Sequence, residues 1–207
     1  MNILAIGSHP DDIEYGCGGT LLKYARQGHK VFLFVATHGH AGGDPNTRYN
    51  EQLRSVEIIG AADIFWGGYT DTEIPLNKEL ISRLEDVIKQ VTPDFIFVHY
   101  PQDTHQDHRT LSNATVSATR YIPNVLFYEG PTTQNFLPSV YVDIEKTMDD
   151  KVSLLKAHDS QIGKLYNTEI EDLTIVEGLL SCANFRGIQG RVKFAEGFSP
   201  LRLFINI

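Results

Sequence analysis

Cysteine is scarce in this chain: Cys17 and Cys182 are the only two among 207 residues, and they lie near opposite ends of it. Two such distant cysteines exclude a disulfide framework, and the lack of a Cys-x-x-Cys pair excludes a zinc site built on thiolates. Free thiols are typical of a reducing compartment. The first residues also lack the basic segment and long apolar run of a signal peptide, so the sequence predicts a cytoplasmic protein.

The sequence also has few basic residues and no long hydrophobic run. Eighteen lysines and arginines stand against 26 aspartates and glutamates, which gives a net charge of −8. This balance disfavours a nucleic-acid partner, because tracking phosphates requires a cationic surface. No segment reaches the roughly 18 apolar residues of a membrane span. With 42% hydrophobic residues, the composition is that of a globular protein, and the length predicts one domain over residues 1–207.

The fold is predicted by apolar runs that alternate with amphipathic stretches. We expect strands at 3–7, 31–36, 61–66, 94–98 and 125–128, and helices at about 18–26, 47–59, 77–91 and 107–121. This alternation predicts an α/β protein with a Rossmann-like, doubly wound, mostly parallel sheet of strand order 3-2-1-4-5, flanked by helices. The last third is less regular, with an edge strand at 140–142, helices at 147–158 and 169–182, and short strands at 192–194 and 201–204.

Two polar clusters directly follow the first and fourth predicted strands. The first is His9-Pro10-Asp11-Asp12, and the second runs from His99 to His108 and contains three histidines and two aspartates. In an open α/β sheet, ligands bind beyond the carboxyl ends of the strands, above all where the strand order reverses. The two clusters are therefore expected to meet at that point of the sheet.

The residue types in these clusters indicate a metal site. His9, Asp12 and His108 together make a two-histidine, one-carboxylate set, which suits catalytic zinc and leaves one position for water. Positions 9 and 12 can face one side of a tight turn, so Asp11 points elsewhere and is a candidate general base. A divalent cation lowers the pKa of a bound water to about 7, and a nearby carboxylate can then take its proton. Iron(II) is the alternative cofactor, because it uses the same ligand types.

Further positions around the clusters are candidates for catalysis or substrate binding. His105 and His108 share one face of a loop or helix, so one can bind the metal while the other, as an imidazolium, stabilises an oxyanion or protonates a leaving amine. Asp107 is the expected partner that orients His105. Asp71 either binds sugar hydroxyls or lies in a polar surface loop, and Tyr128, at a strand end, is a candidate for lining the pocket.

The motifs resemble those of a known family. His9-Pro10-Asp11-Asp12 with the glycine-rich stretch 16–20, followed by His105-Gln106-Asp107-His108, is similar to the paired motifs of the LmbE-like (PIG-L) zinc-dependent N-deacetylases. Arg48-x-x-Glu51 and the segment 186–198 resemble further parts of that family. The resemblance spans nearly the whole chain. It implies a Rossmann-like fold and the hydrolysis of N-acetyl groups on small amino-sugar molecules.

By position, the resemblance also implies roles for individual residues. The implied zinc ligands are His9, Asp12 and His108, the implied general base is Asp11, the implied acid or electrostatic residue is His105, and the implied substrate contact is Arg48. We therefore expect a metal-dependent N-deacetylase that cleaves the amide of an N-acetylglucosamine derivative. Gln106 and Asp103 differ from the residues that some members carry, which leaves the particular substrate open.

Two other functions stay open at this point. A mononuclear iron(II) oxygenase uses the same ligand types, although that class usually has a β-rich barrel. A metal-free sugar or nucleotide-sugar binding module on a Rossmann scaffold would use the histidines only for hydrogen bonds. It lacks the Gly-x-Gly-x-x-Gly spacing, which Gly16, Gly18 and Gly19 do not match. The oligomeric state is open as well, with a homo-oligomer as one option.

Overall fold

Residues 1–163 and 174–205, which the computed structural model describes, include seven strands that form one sheet. These strands are β1 (Asn2–Gly7), β2 (Lys30–Thr37), β3 (Asp63–Tyr69), β4 (Phe95–His99), β5 (Val125–Tyr128), β6 (Val140–Asp143) and β7 (Ala195–Arg202). Their order is β3-β2-β1-β4-β5-β7-β6. The first five strands are parallel, and β7 pairs antiparallel with β5 and β6. The predicted α/β class and the order 3-2-1-4-5 are confirmed.

Helices cover both faces of the sheet. They are α1 (Asp12–Arg26), α2 (Pro45–Ile59), α3 (Lys78–Val91), α4 (Gln106–Ala118), α5 (Met148–Lys156), α6 (Asp159–Ile162) and α7 (Ile175–Gly190). Side chains alternate along β1, so Leu4 and Ile6 pack into the core under α3 and α4, while Ile3 and Ala5 pack under α1 and α5. Burial of both faces explains why the central strands are almost wholly apolar. Within the described ranges, no helix combines the length and apolarity needed to cross a bilayer.

Helix α1 begins earlier than the sequence predicts. The expected start was residue 18, but the helix starts at Asp12 and includes the glycine-rich stretch. A Cβ on Gly16 would lie 2.1 Å from Cδ2 of Tyr128, so glycine lets the helix lie close against the sheet. Glycines that are typical of a loop are therefore here part of a packed helix interior.

The C-terminal part also differs from the prediction. The expected strand at 192–194 is wrong, because these residues form the turn before β7. Helix α7 continues to Gly190, past the predicted end at 182, and the predicted start at 169 lies outside the described residues. A Cβ on Gly187 would lie 2.5 Å from the Lys193 carbonyl oxygen, so the glycine allows the chain to fold back tightly against the helix. The edge position of β6 is confirmed.

Candidate active site

The two polar clusters meet because β1 and β4 are adjacent parallel strands. Ile6 pairs with Val98 near the carboxyl ends of these strands, and both loops leave the sheet at the same edge. The helices that follow, α1 and α4, begin at Asp12 and Gln106, so each cluster ends in the first turn of a helix. The predicted meeting of the clusters is thereby confirmed.

Asp12 lies between two histidines from the two loops. Its Oδ2 is 3.3 Å from Nδ1 of His9, and its Oδ1 is 3.3 Å from Nε2 of His108. Oδ2 also accepts hydrogen bonds from the backbone N–H groups of Ser8, at 3.0 Å, and His9, at 2.7 Å. Burial alone would raise the pKa of Asp12, but His108 and His99 beside it hold that pKa well below its usual range. The carboxylate is therefore fixed and charged.

Carboxylates contact the far nitrogens of both histidines. Nε2 of His9 lies 2.9 Å from Oδ1 of Asp71 and 3.1 Å from Oδ2 of Asp107. Nδ1 of His108 lies 3.3 Å from Oδ2 of Asp103. A carboxylate behind the imidazole is the usual arrangement of a metal-binding histidine, because it orients the ring and raises its basicity. The nitrogens that face Asp12 are thus suited to a cation.

The contact predicted between the side chains of Asp107 and His105 is wrong. The Asp107 carboxylate instead contacts His9 and accepts hydrogen bonds from the backbone N–H groups of Thr72, at 2.7 Å, and Ile74, at 3.4 Å. Residues two positions apart at a helix start point in different directions, so Asp107 cannot share the side of His105. Asp107 therefore links His9 to the loop after β3.

Three groups of described residues have ligand atoms within 4.8 Å of one another: His9 with His105 and His108, Asp12 with His99 and His108, and His9 with Asp71 and Asp107. The predicted set of His9, Asp12 and His108 is not one of these groups. The first group contains its two histidines, and the second contains Asp12 together with His108. These three line an open cavity, whereas His99 is 1% exposed. Burial lowers the pKa of His99 to about 4, with His108 adding to the effect, so His99 is a neutral neighbour of Asp12.

Asp11 occupies a strained position beside the centre. Its φ of 101° is left-handed, a conformation that costs a residue with a Cβ about 1–3 kcal/mol. Burial raises the pKa of Asp11 to about 6, against the opposing charge of Arg48. Nη2 of Arg48 lies 3.3 Å from Oδ2 of Asp11. The site therefore contains a carboxylate with a pKa near neutrality.

His105 presents one nitrogen to the cavity. Its Nδ1 accepts a hydrogen bond from the backbone N–H of Asp107 at 3.2 Å, and its ring stacks on His108 with centroids 4.6 Å apart. Burial, together with His108 and His9, lowers the pKa of His105. The neutral ring, with the hydrogen on Nε2, is therefore favoured over the imidazolium that the sequence suggested.

A cavity of about 340 Å³ opens above these residues. Its lining consists of residues from six segments: His9, Asp11, Asp12, Tyr15, Ala41, Gly42, Arg48, Asp71, Thr72, His105, His108, Pro131, Thr132 and Ile175. Two of the predicted substrate contacts, Arg48 and Asp71, line it. The prediction for Tyr128 is wrong, because its ring is fully buried and its hydroxyl donates to the Ile6 carbonyl at 2.8 Å. Sequence reasoning missed Pro131 and Thr132, whose loop carries no local signal of function.

An open α/β sheet with a buried histidine–aspartate cluster at its switch point, beside an open cavity, defines a Rossmann-like protein with a candidate metal centre. The family model PIG-L, described as GlcNAc-PI de-N-acetylase, matches residues 4–119. The chain belongs to the PIG-L (LmbE-like) family.

Known proteins resemble the chain over most of its length. It is 36% identical over 167 residues to the "Uncharacterized deacetylase YaiS" of Escherichia coli (strain K12), covering 76% of this chain and 90% of that one. It is 26% identical over 214 residues to the diacetylchitobiose deacetylase of Thermococcus kodakarensis, covering 86% and 78%. The crystal structure of the conserved protein TT1542 from Thermus thermophilus superposes with a TM-score of 0.86 at 25% identity, covering 99% and 96%.

Proposed function

We propose that this protein is a metal-dependent N-deacetylase that removes the acetyl group from a small N-acetylglucosamine derivative. The observation that carries the proposal is the position of Asp11 beside His9, Asp12 and His108 at the wall of one open cavity. The name of the relative that acts on diacetylchitobiose supports the substrate class. Cleaving an amide with water requires a base, an electrophile and a donor to the developing oxyanion, and the cavity contains residues suited to each.

The residues present fit a divalent cation. Nδ1 of His9, the Asp12 carboxylate and Nε2 of His108 would hold it, because each of these nitrogens lies 3.3 Å from an oxygen of Asp12 while the far nitrogens of both rings contact carboxylates. A cation bound there would lower the pKa of water to about 7 and polarise the acetyl carbonyl. Two imidazoles and a carboxylate suit zinc, with iron(II) as the alternative.

Asp11 would act as the general base. With a pKa of about 6, its carboxyl is mostly ionised at neutral pH, so it can take a proton from the attacking water and return it to the leaving amine. His105 would donate from Nε2 to the acetyl oxygen as negative charge develops there. Arg48 holds Asp11 in place, and its predicted contact with substrate remains part of the proposal. Acetate and a free amine are the products.

Acetate release from N,N'-diacetylchitobiose and from N-acetylglucosamine glycosides tests the proposal. We expect turnover by the protein as purified, loss of turnover after treatment with a chelator, and recovery when zinc is restored. Sugar binding with no acetate release under any metal condition would contradict the proposal and favour the metal-free binding module. Chelator-resistant turnover would contradict the metal dependence alone.

A further inference from the structure

Asp103 lies beneath the candidate centre, in the loop between β4 and α4, and is 6% exposed. Its Oδ1 accepts hydrogen bonds from the backbone N–H of His105, at 2.8 Å, and from the hydroxyl of Thr132, at 2.7 Å. Its Oδ2 accepts from the hydroxyl of Thr133 at 2.9 Å and lies 3.3 Å from Nδ1 of His108. An ionised carboxylate can only accept hydrogen bonds, so three groups donate to it, and Nδ1 of His108 lies beside it as a fourth polar contact.

The position of the His108 ring depends on this contact. The ring is stacked between His99, with centroids 4.0 Å apart, and His105, with centroids 4.6 Å apart. Stacking fixes the plane of the ring, but a half turn about the Cβ–Cγ bond leaves that plane unchanged and exchanges the positions of ring nitrogens and carbons. Asp103 removes this ambiguity, because only one of the two orientations places Nδ1 against its Oδ2. In that orientation Nε2 lies 3.3 Å from Oδ1 of Asp12.

Asp103 also contacts the loop that forms the opposite wall of the cavity. The backbone N–H of Thr104 donates to the carbonyl of Thr132 at 3.1 Å, and that of Gln134 donates to the carbonyl of Gln102 at 2.9 Å. Segments 102–104 and 132–134 thus pair antiparallel, with Asp103 between the two hydrogen bonds. Since Thr132 lines the cavity, a displacement of this pairing would move the cavity wall.

We propose that Asp103 is a positioning residue that couples His108 to the threonine loop of the cavity wall. It keeps the hydrogen of His108 on Nδ1, which leaves Nε2 bare for a cation, and it fixes Thr132 relative to that ring. The inference rests on the proposed function, because it takes His108 to be a metal ligand. It adds a residue that contacts neither the cation nor the substrate.

Asp103→Asn tests the first half of the proposal. The amide keeps the size of the side chain but can place an NH₂ group against His108, which favours the ring form with hydrogen on Nε2, and that form cannot bind a cation there. We expect the zinc affinity of the metal-free protein, measured by competition with a chromogenic chelator, to fall about 10- to 100-fold. The control is Asp150→Asn, whose exposed side chain pairs with Arg26 away from the cavity. Zinc affinity of Asp103→Asn within twofold of the wild type would overturn the proposal.

Thr133→Val tests the second half, because Thr133 contacts Asp103 without being among the cavity-lining residues. We expect KM for diacetylchitobiose to rise several-fold while zinc affinity stays unchanged. Thr133→Ser keeps the hydroxyl and should restore the wild-type KM. A wild-type KM in Thr133→Val would refute the coupling to the wall.

A measurement on the wild type does not depend on the folding of any variant. In the zinc-loaded protein, nitrogen-15 spectra of the imidazole rings should show His108 with a hydrogen on Nδ1 and none on Nε2. The opposite form would overturn the proposal. If the wild type binds zinc and shows this form but releases no acetate, the proposed function fails while the role of Asp103 toward His108 stands.

Discussion

The guanidinium of Arg48 lies 3.3 Å from the carboxylate of Asp11 and also donates hydrogen bonds to the backbone of two loops. Nη2 donates to the carbonyl of Pro10 at 2.6 Å, and Nη1 donates to the carbonyl of Gly39 at 2.8 Å. One buried cation thus joins the loops after β1 and β2 at the residue whose backbone is left-handed. We conclude that Arg48 stabilises the conformation of the proposed base.

Asp11→Asn should abolish most turnover without removing the cation. Loss of a general base costs roughly 10²- to 10⁴-fold in rate, and the amide cannot take a proton from water. Acetate release and bound zinc should be measured on the same sample. Asp12→Asn is the matched variant, and there zinc affinity should fall together with activity. If Asp11→Asn loses its zinc, Asp11 is a ligand and its assignment as the base is wrong.

Gly42→Ala should displace Arg48 and slow the reaction. A Cβ at position 42 would lie 2.6 Å from Nη1 of Arg48, and that guanidinium has little room to move because it is buried and hydrogen-bonded. A misplaced base typically costs about ten- to a hundredfold in kcat. Gly163→Ala is the control, since nothing lies within 4 Å of a Cβ there. Equal kcat values for the two variants would contradict this prediction.

Lys151→Met should destabilise the fold strongly. Glu196 on β7 accepts hydrogen bonds from the backbone N–H groups of Gly19, at 2.8 Å, and Thr20, at 2.7 Å, and it pairs with Lys151 on α5. Removing one partner of a buried ion pair leaves an uncompensated charge, at a cost of about 3–5 kcal/mol. Urea denaturation gives the free energy of unfolding for comparison with the wild type.

The control for that measurement is Lys89→Met, which breaks an exposed pair with Asp86. Surface changes of this kind alter the free energy of unfolding by about 0.5 kcal/mol or less. If Lys151→Met is no less stable than Lys89→Met, the buried pair contributes nothing to stability and the prediction is wrong.

Neither thiol should react readily in the native protein. Burial, with the nearby Glu129, raises the pKa of Cys182 to about 12, and burial raises the pKa of Cys17 well above its ordinary value. The thiolate is the reactive form, so its population near neutral pH is negligible. We expect slow modification by iodoacetamide when the protein is folded and rapid modification of both residues in denaturant. One rapidly modified thiol per folded chain would contradict this.

Much of the architecture follows from the sequence. An apolar run such as 31–36, in which every residue except the partly buried Phe32 is buried, is typical of a sheet covered on both faces. The amphipathic stripe that starts at Asn77 has the spacing of a helix. Asn77 caps that helix as predicted, accepting a hydrogen bond from the Leu80 N–H at 2.9 Å. These strands and helices depend on residues that are close together in the chain, so the local sequence pattern is sufficient to predict them.

The sequence by itself determined that two histidine–aspartate loops follow β1 and β4, since their position at strand ends is a matter of order along the chain. Only the tertiary structure decided which carboxylate contacts which ring: Asp107 contacts His9, and Asp103 contacts His108 and a distant threonine loop. It also buried Tyr128 against α1 instead of in the cavity. The reason is physical: packing between segments that are remote in sequence sets the direction of a side chain at a helix start or strand end. That direction therefore cannot be predicted from the neighbouring residues in the chain.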